Sequence, residues 1–243
     1  MVFRMTIEYD GTAYYGWQVQ PNVPTVQGTI EAALRRFLKG SFRLIGASRT
    51  DRGVHARGQV ASLHLNGEDD PGRIRSALNG NLPRDIYIKE VAVAPEGFDA
   101  RKSSVGKRYI YTLIIGRSPL MSRFAWEYLG RKPELALLEE MAAELVGQRD
   151  MRNLSPGCEE KNTLVRIDKA KWEKVGTTLT FTVEGDRFLF RLVRNLVGLM
   201  VRVASGRLDR EEFIRAMQGD ETRIFTAPAR GLCLDAVFYE DER

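Results

Sequence analysis

Residues 48 to 57 read Ser-Arg-Thr-Asp-Arg-Gly-Val-His-Ala-Arg, the densest run of chemically capable side chains in the sequence. One carboxylate, Asp51, stands among Arg49, Arg52, His55 and Arg57. Guanidinium neighbours hold a carboxylate ionised, and an ionised carboxylate can attack an electrophilic carbon. Gly53 admits the tight turn that would present it. A charged hairpin loop has the same composition. Val54 and Ala56 interleave with the charges, however, as in a loop packed against other structure.

A second candidate lies in the apolar run from Phe188 to Ala204. At helical spacing, Arg191, Arg194, Asn195, Gly198 and Arg202 share one stripe, while most other positions are Leu, Val, Phe or Met. A guanidinium buried on such a helix needs an anion. A carboxylate such as Asp51 or an RNA phosphate would satisfy it bidentately, and so would a structural partner elsewhere. Tyr109 and Tyr111 share one face of a strand, and Lys107 and Arg108 beside them make Tyr109 a base-stacking candidate. Trp17, with Tyr14 and Tyr15, suits RNA contact or packing under a sheet.

Other chemistries find little support. Two histidines (His55, His64) and two widely spaced cysteines (Cys158, Cys233) argue against a metal centre or a disulfide framework. Gly106-Lys107-Arg108 lacks the remaining residues of a phosphate-binding loop, no GxGxxG follows a strand, and no nucleophile elbow surrounds Ser48. No cofactor, nucleotide or metal is expected.

The elements that must position these residues follow from periodicity. Strands are expected at Val2 to Tyr9, Phe42 to Ala47, Gln59 to Leu65 and Asp85 to Val93. Helices are expected from Thr25 to Lys39 and from Asp70-Pro71 to a stop at Gly80. The second half repeats the order: a strand at Arg108 to Ile115, a helix at Pro133 to Val146, and strands at Leu164 to Lys174 and Thr177 to Glu184. Helices at Phe188 to Ala204 and Asp209 to Gln218 follow, then a strand at Leu232 to Tyr239. The fold class is therefore α+β, with two ferredoxin-like (βαββαβ, RRM-like) lobes of antiparallel or mixed sheet around a central cleft, divided as 1–104 and 105–243.

The chain has 243 residues, 43% hydrophobic and 28% charged, which excludes disordered and fibrous classes. No apolar run approaches the ~18 residues of a membrane span. The alternating first ten residues do not resemble a leader, so a soluble, cytoplasmic protein is expected. Thirty-seven Lys and Arg against 32 Asp and Glu leave a net charge of +5. Eight basic residues between Phe98 and Lys132 face only Asp99 and Glu127. Such clustering suits a polyanionic partner or a solvated basic face.

Arg49-Thr50-Asp51-Arg52-Gly53-Val54-His55-Ala56, followed by Gln59-Val60, resembles the RTDxGVHA signature of the tRNA pseudouridine synthase A family. Four further segments agree in order. These are Glu8 to Gly11 with Tyr15-Gly16-Trp17-Gln18, Lys107 to Tyr111, Phe188 to Gly198, and Ala227 to Leu232. The resemblance implies an isomerase converting uridine to pseudouridine in the anticodon stem-loop of tRNA, at the family's positions 38, 39 and 40. It implies Asp51 as nucleophile, Arg194 as its partner, and Tyr109 against the base. Arg49, Arg52 and His55 would grip phosphates or fill the vacated space. A homodimer with no membrane association is also implied. Three departures bear on target choice: Asp150 to Leu154 replaces an aromatic-bearing segment, Arg191 a histidine and Arg52 an alanine. Two rivals stay open: a noncatalytic RNA-binding protein, and a hydrolase using Asp51 and His55.

Overall fold

The computed structural model describes residues 1–67 and 69–240 as a mixed α+β protein with five α-helices among those residues. The chain divides into two units. The first comprises Met1–Val105 and the chain from Cys233 to the last described residue; the second is Gly106–Leu232. The last strand thus belongs with the first unit, which a contiguous boundary at 104/105 does not capture.

The first unit contains β1 (Val2–Tyr9), α1 (Val26–Leu34), β2 (Phe42–Gly46), β3 (His55–Leu65), α2 (Pro71–Asn81) and β4 (Ile86–Val93). Strand β1 lies between β3 and β4, antiparallel to both. Alternation along β1 turns Phe3, Met5 and Ile7 fully inward, where they join Ile30 and Leu34 of α1 and Ile74 and Leu78 of α2. Burying each of these side chains is worth roughly 1.5–3 kcal/mol. Thr25 caps α1 by accepting from Gly28 N–H at 3.3 Å, and Asp70 caps α2 by accepting from Arg73 N–H at 2.7 Å.

Two helix limits differ from the pattern. Helix α1 stops at Leu34 and passes through turns, because the Phe37 and Leu38 amides return to Leu34 O. Helix α2 runs through Gly80 to Asn81, since Gly80 keeps helical geometry and lacks the positive φ of a stop.

Strand β3 begins at His55, four residues before its alternation becomes regular. Its outer edge is shared. Ala61 to Leu65 pair antiparallel with β2, whereas His55 and Ala56 pair in parallel with Cys233 and Leu234 of β10 (Leu232–Phe238). That second pairing extends the strand into the run expected to be a loop.

The second unit contains β5 (Gly106–Ile115), β6 (Trp126–Tyr128), α3 (Leu135–Leu145), β7 (Gly147–Asp150), β8 (Leu164–Val175), β9 (Thr178–Gly185), α4 (Leu192–Ala204) and α5 (Arg210–Gln218). Strands β5, β9, β8 and β7 pair antiparallel in that order, and β6 pairs in parallel with β5. Strands β6 and β7, of three and four residues, are too short to show a period. Helix α4 starts at Leu192 rather than Phe188 because Arg191 adopts a left-handed conformation, with φ of 58°. Almost all of α4 is buried, and it meets α3 and α5.

Candidate active site

Asp51 opens a four-residue turn in the first unit. Val54 N–H donates to Asp51 O at 3.1 Å, and Gly53 at the third position has φ of 76°, as a type II turn requires. The N-terminal segment braces this turn. Tyr9 Oη and Thr50 Oγ1 lie 2.8 Å apart. Trp17 N–H donates to Thr50 O at 3.1 Å, and Gly53 N–H donates to Tyr14 O at 3.2 Å.

Two glycines allow the close approach. A Cβ on Gly11 would lie 2.0 Å from Val54 O, and one on Gly16 would lie 2.4 Å from Thr50 O. Trp17 is buried against Gly46, where a Cβ would sit 2.3 Å from its Nε1. Behind the turn, the fully buried amide of Gln59 brackets Ser48. Ser48 N–H donates to Oε1 at 3.2 Å, and Nε2 donates to Ser48 O at 2.7 Å.

The predicted residues of this unit separate by environment. Asp51 is half-buried, while Arg49 and Arg52 are exposed, and the Arg52 guanidinium lies 4.1 Å from the centre of the Tyr15 ring. His55, 5% exposed, is a buried residue at the start of β3. Its Nδ1 meets Gly11 N–H at 3.1 Å and Asp10 Oδ1 at 3.2 Å. That placement ties β3 to the Asp10–Gly11 corner and offers little surface to a phosphate. Tyr14 reaches Asp85 with a 2.7 Å hydrogen bond; burial, then that carboxylate, pushes its phenol well above the ordinary tyrosine range.

In the second unit, Tyr109 is buried at 6% exposure and meets Phe188 edge-on at 5.1 Å. Two residues on, fully buried Tyr111 donates to Pro228 O at 2.8 Å. Burial holds its phenol far above the usual range, against the lowering pull of Arg194 and Arg230.

Arg194 is half-buried on α4, and its Nε donates to Ala227 O at 2.8 Å while its own carbonyl accepts from Ala227 N–H at 3.1 Å. One residue along, Asn195 Oδ1 accepts from Thr226 Oγ1 at 2.7 Å, and its Nδ2 donates to Leu154 O at 2.7 Å. Gly198 gives the Phe225 carbonyl room, since a Cβ there would lie 1.8 Å from it. The polar stripe on α4 therefore holds a strap, residues 225–228, and Arg191 at the helix start lies against Phe190 instead. Spacing reveals the stripe but not the strap, because most of the partners are main-chain groups far along the chain, with no sequence signature.

Arg108, adjacent to Tyr109, pairs with Glu184 at 2.9 Å. Among the described residues, no three His, Cys, Asp or Glu side chains gather to hold a metal ion, and no helix is long and apolar enough to cross a membrane.

The sequence profile of the family described as tRNA pseudouridine synthase matches residues 5–101 and 141–240. The tRNA pseudouridine synthase A of Geobacter sulfurreducens is 38% identical over 239 residues, covering 96% of this chain and 98% of that protein. The tRNA pseudouridine synthase A 1 of Protochlamydia amoebophila is 39% identical, covering 99% and 97%. The Chlorobaculum tepidum protein of the same type is 39% identical, covering 97% of each. With both stretches matched and relatives aligned nearly end to end, the chain belongs to the tRNA pseudouridine synthase family.

Proposed function

We propose that this chain converts uridine to pseudouridine in the anticodon stem-loop of tRNA, with Asp51 as nucleophile. The observation that carries the assignment is the braced turn. Asp51 is a half-buried carboxylate in a turn whose neighbouring residues Ser48, Thr50 and Gly53 are held by Gln59, Tyr9, Trp17 and Tyr14, so the turn is set before any substrate arrives.

The reaction breaks the N1–C1′ glycosidic bond, turns the uracil, and forms a C5–C1′ bond. The C5 proton leaves and N1 recovers one, so no atoms are gained or lost and no oxidant is needed. Asp51 attacks C6 of the base or C1′ of the sugar. By the family resemblance Arg194 is the nucleophile's partner residue, and within the second unit its Nε–Ala227 bond orients the guanidinium plane. Tyr109 contacts the base, Arg49 and Arg52 grip phosphates, and His55 acts by positioning the corner at Asp10 and Gly11. Extruding the uridine costs a few kcal/mol. A hydrolase using Asp51 and His55 is less well supported, because the His55 Nδ1 is already engaged with that corner.

Each unit reads as a ferredoxin-like lobe. Antiparallel order β4-β1-β3-β2 under two helices supports this in the first, and β5-β9-β8 with α3 and α4 supports it in the second. A cytoplasmic homodimer is the working assembly, and exposed Leu120, Met121 and Phe124 provide apolar surface for a subunit contact.

The test uses tRNA transcripts tritiated at C5 of uridine, incubated in EDTA. Tritium release from RNA of unchanged length by the wild type, and none by Asp51→Asn, is the expected result. RNA shortening, or equal release by the variant, would refute the assignment.

A further inference from the structure

The net positive charge is not shared between the two units. Residues 106–232 contain 22 Lys and Arg against 17 Asp and Glu, whereas the rest of the chain is balanced at 15 of each. Most basic side chains along β8 are neutralised locally: Arg166 by Asp168, Lys169 by Glu184 and Lys171 by Glu173. Lys174, at the end of the same strand, is different. The like charge of nearby Lys132 lowers its pKa.

Next to Lys132 the chain forms a small cradle. The Tyr128 hydroxyl is buried and has no hydrogen-bond partner among the described residues. Gly130 lets the main chain pass close to it, since a Cβ there would lie 2.7 Å from that hydroxyl and 2.8 Å from Arg207 Nη2. The Arg207 guanidinium lies 5.8 Å from the centre of the Tyr128 ring, and Arg131 Nη1 lies 3.2 Å from where a Cβ on Gly206 would stand. No carboxylate lies within ion-pair distance of Arg131, Lys132, Lys174 or Arg207 among the described residues. An orphaned hydroxyl donor beside uncompensated cations is the donor set of a phosphate site, because a buried polar group without a partner is costly until an acceptor arrives.

We propose that Tyr128, Gly130, Arg131 and Arg207, with Lys132 and Lys174 at the margin, form a second anion site that takes a backbone phosphate of the RNA substrate outside the reacting stem-loop. The RNA identity rests on the proposed function; the anion site itself does not. Register places the cradle at the Leu113–Ile115 end of β5, six residues from Tyr109. At strand rise that is roughly 20 Å, so a phosphate held here belongs to a different part of the RNA from the reacting base.

The test compares wild type with Tyr128→Phe/Arg207→Gln and with Lys132→Glu/Lys174→Glu, on full-length tRNA and on the isolated anticodon stem-loop. Binding is measured against salt concentration, and C5 tritium release in parallel. The expected result is about tenfold weaker binding of whole tRNA, with a salt slope reduced by about one for each phosphate no longer neutralised. The stem-loop should bind both variants as it binds wild type, and kcat on whole tRNA should hold. Wild-type binding of whole tRNA by both variants would overturn the proposal, leaving the patch to free phosphate or an acidic protein. Equal losses on both RNAs would overturn it too, as would a changed sedimentation coefficient, which would make the patch a subunit contact. If wild type binds tRNA without releasing tritium, the isomerase assignment fails while the binding comparison still decides this site.

Discussion

The side-chain amide of Gln59 satisfies both main-chain hydrogen-bonding groups of Ser48, accepting from its N–H at 3.2 Å and donating to its carbonyl at 2.7 Å. Gln59 thus acts as a short piece of strand, closing the stem of the Asp51 turn from inside the protein. Gln59→Leu keeps the volume and removes both bonds. The expected outcome is a fall in kcat of about tenfold or more with KM for tRNA nearly unchanged, and a stability loss of about 1–3 kcal/mol. Steady-state kinetics and urea unfolding read the two separately. Unchanged kcat in a destabilised protein would limit Gln59 to a structural role.

The strap on α4 gives a second prediction. Gly198→Ala places a methyl group against Phe225 O, where no rotamer change relieves it. The strap must then lift, loosening the Ala227 bonds to Arg194 and the Thr226 bond to Asn195. A loss of about 1–3 kcal/mol in urea unfolding is expected, with a larger proportional fall in kcat. A shift under about 0.5 kcal/mol would show that the strap moves at little cost.

Arg52 lies over Tyr15 on the exposed side of the turn. Arg52→Ala should raise KM for tRNA a few-fold, leave kcat unchanged, and flatten the salt dependence of binding by about one unit of slope. An effect on kcat instead would place Arg52 in the chemical step.

His64 makes stability depend on pH. Burial first, then the nearby Arg43 charge, holds its pKa below the ordinary value near 6.5. The folded state therefore takes up this proton less readily than the unfolded chain. Its stabilising contribution is full above about pH 6.5 and is lost as pH falls toward and through the folded value. His64→Gln should lose less stability than wild type between pH 7.5 and pH 5, measured by urea midpoint. Parallel curves would show that other groups dominate acid unfolding.

Cys233 bears on chemical robustness. Burial pushes its thiol up to about 12, so little thiolate exists at neutral pH. Alkylation at pH 8 should label Cys158 well before Cys233, as mass spectrometry of the modified protein would show.

Much of the architecture is legible in the sequence because it rests on local periodicity. Alternation in Val2–Tyr9 marks an inward face of Phe3, Met5 and Ile7, and Asp70-Pro71 announces a helix start whatever surrounds it. The polar turn at Asp51 is equally legible, since Gly53 and its charged neighbours need no distant partner to be noticed.

Distance in sequence decided the rest. By its neighbours His55 is part of a charged loop, but pairing with Cys233 and Leu234 makes it the first residue of a strand and draws its ring toward Asp10. By its neighbours Tyr109 is a displayed ring, yet Phe188 meets its edge from far along the chain. Helix α4 begins late because Arg191 takes a left-handed conformation, and its polar stripe serves the Ala227 carbonyl and the Thr226 hydroxyl of a strap about 30 residues away. By itself the sequence determined periodicity, turns and the inventory of reactive groups, which are properties of neighbouring residues. Only the tertiary structure decided which carbonyl each donor meets and which hydroxyl, such as that of Tyr128, is left without one, because main-chain partners carry no residue identity to read.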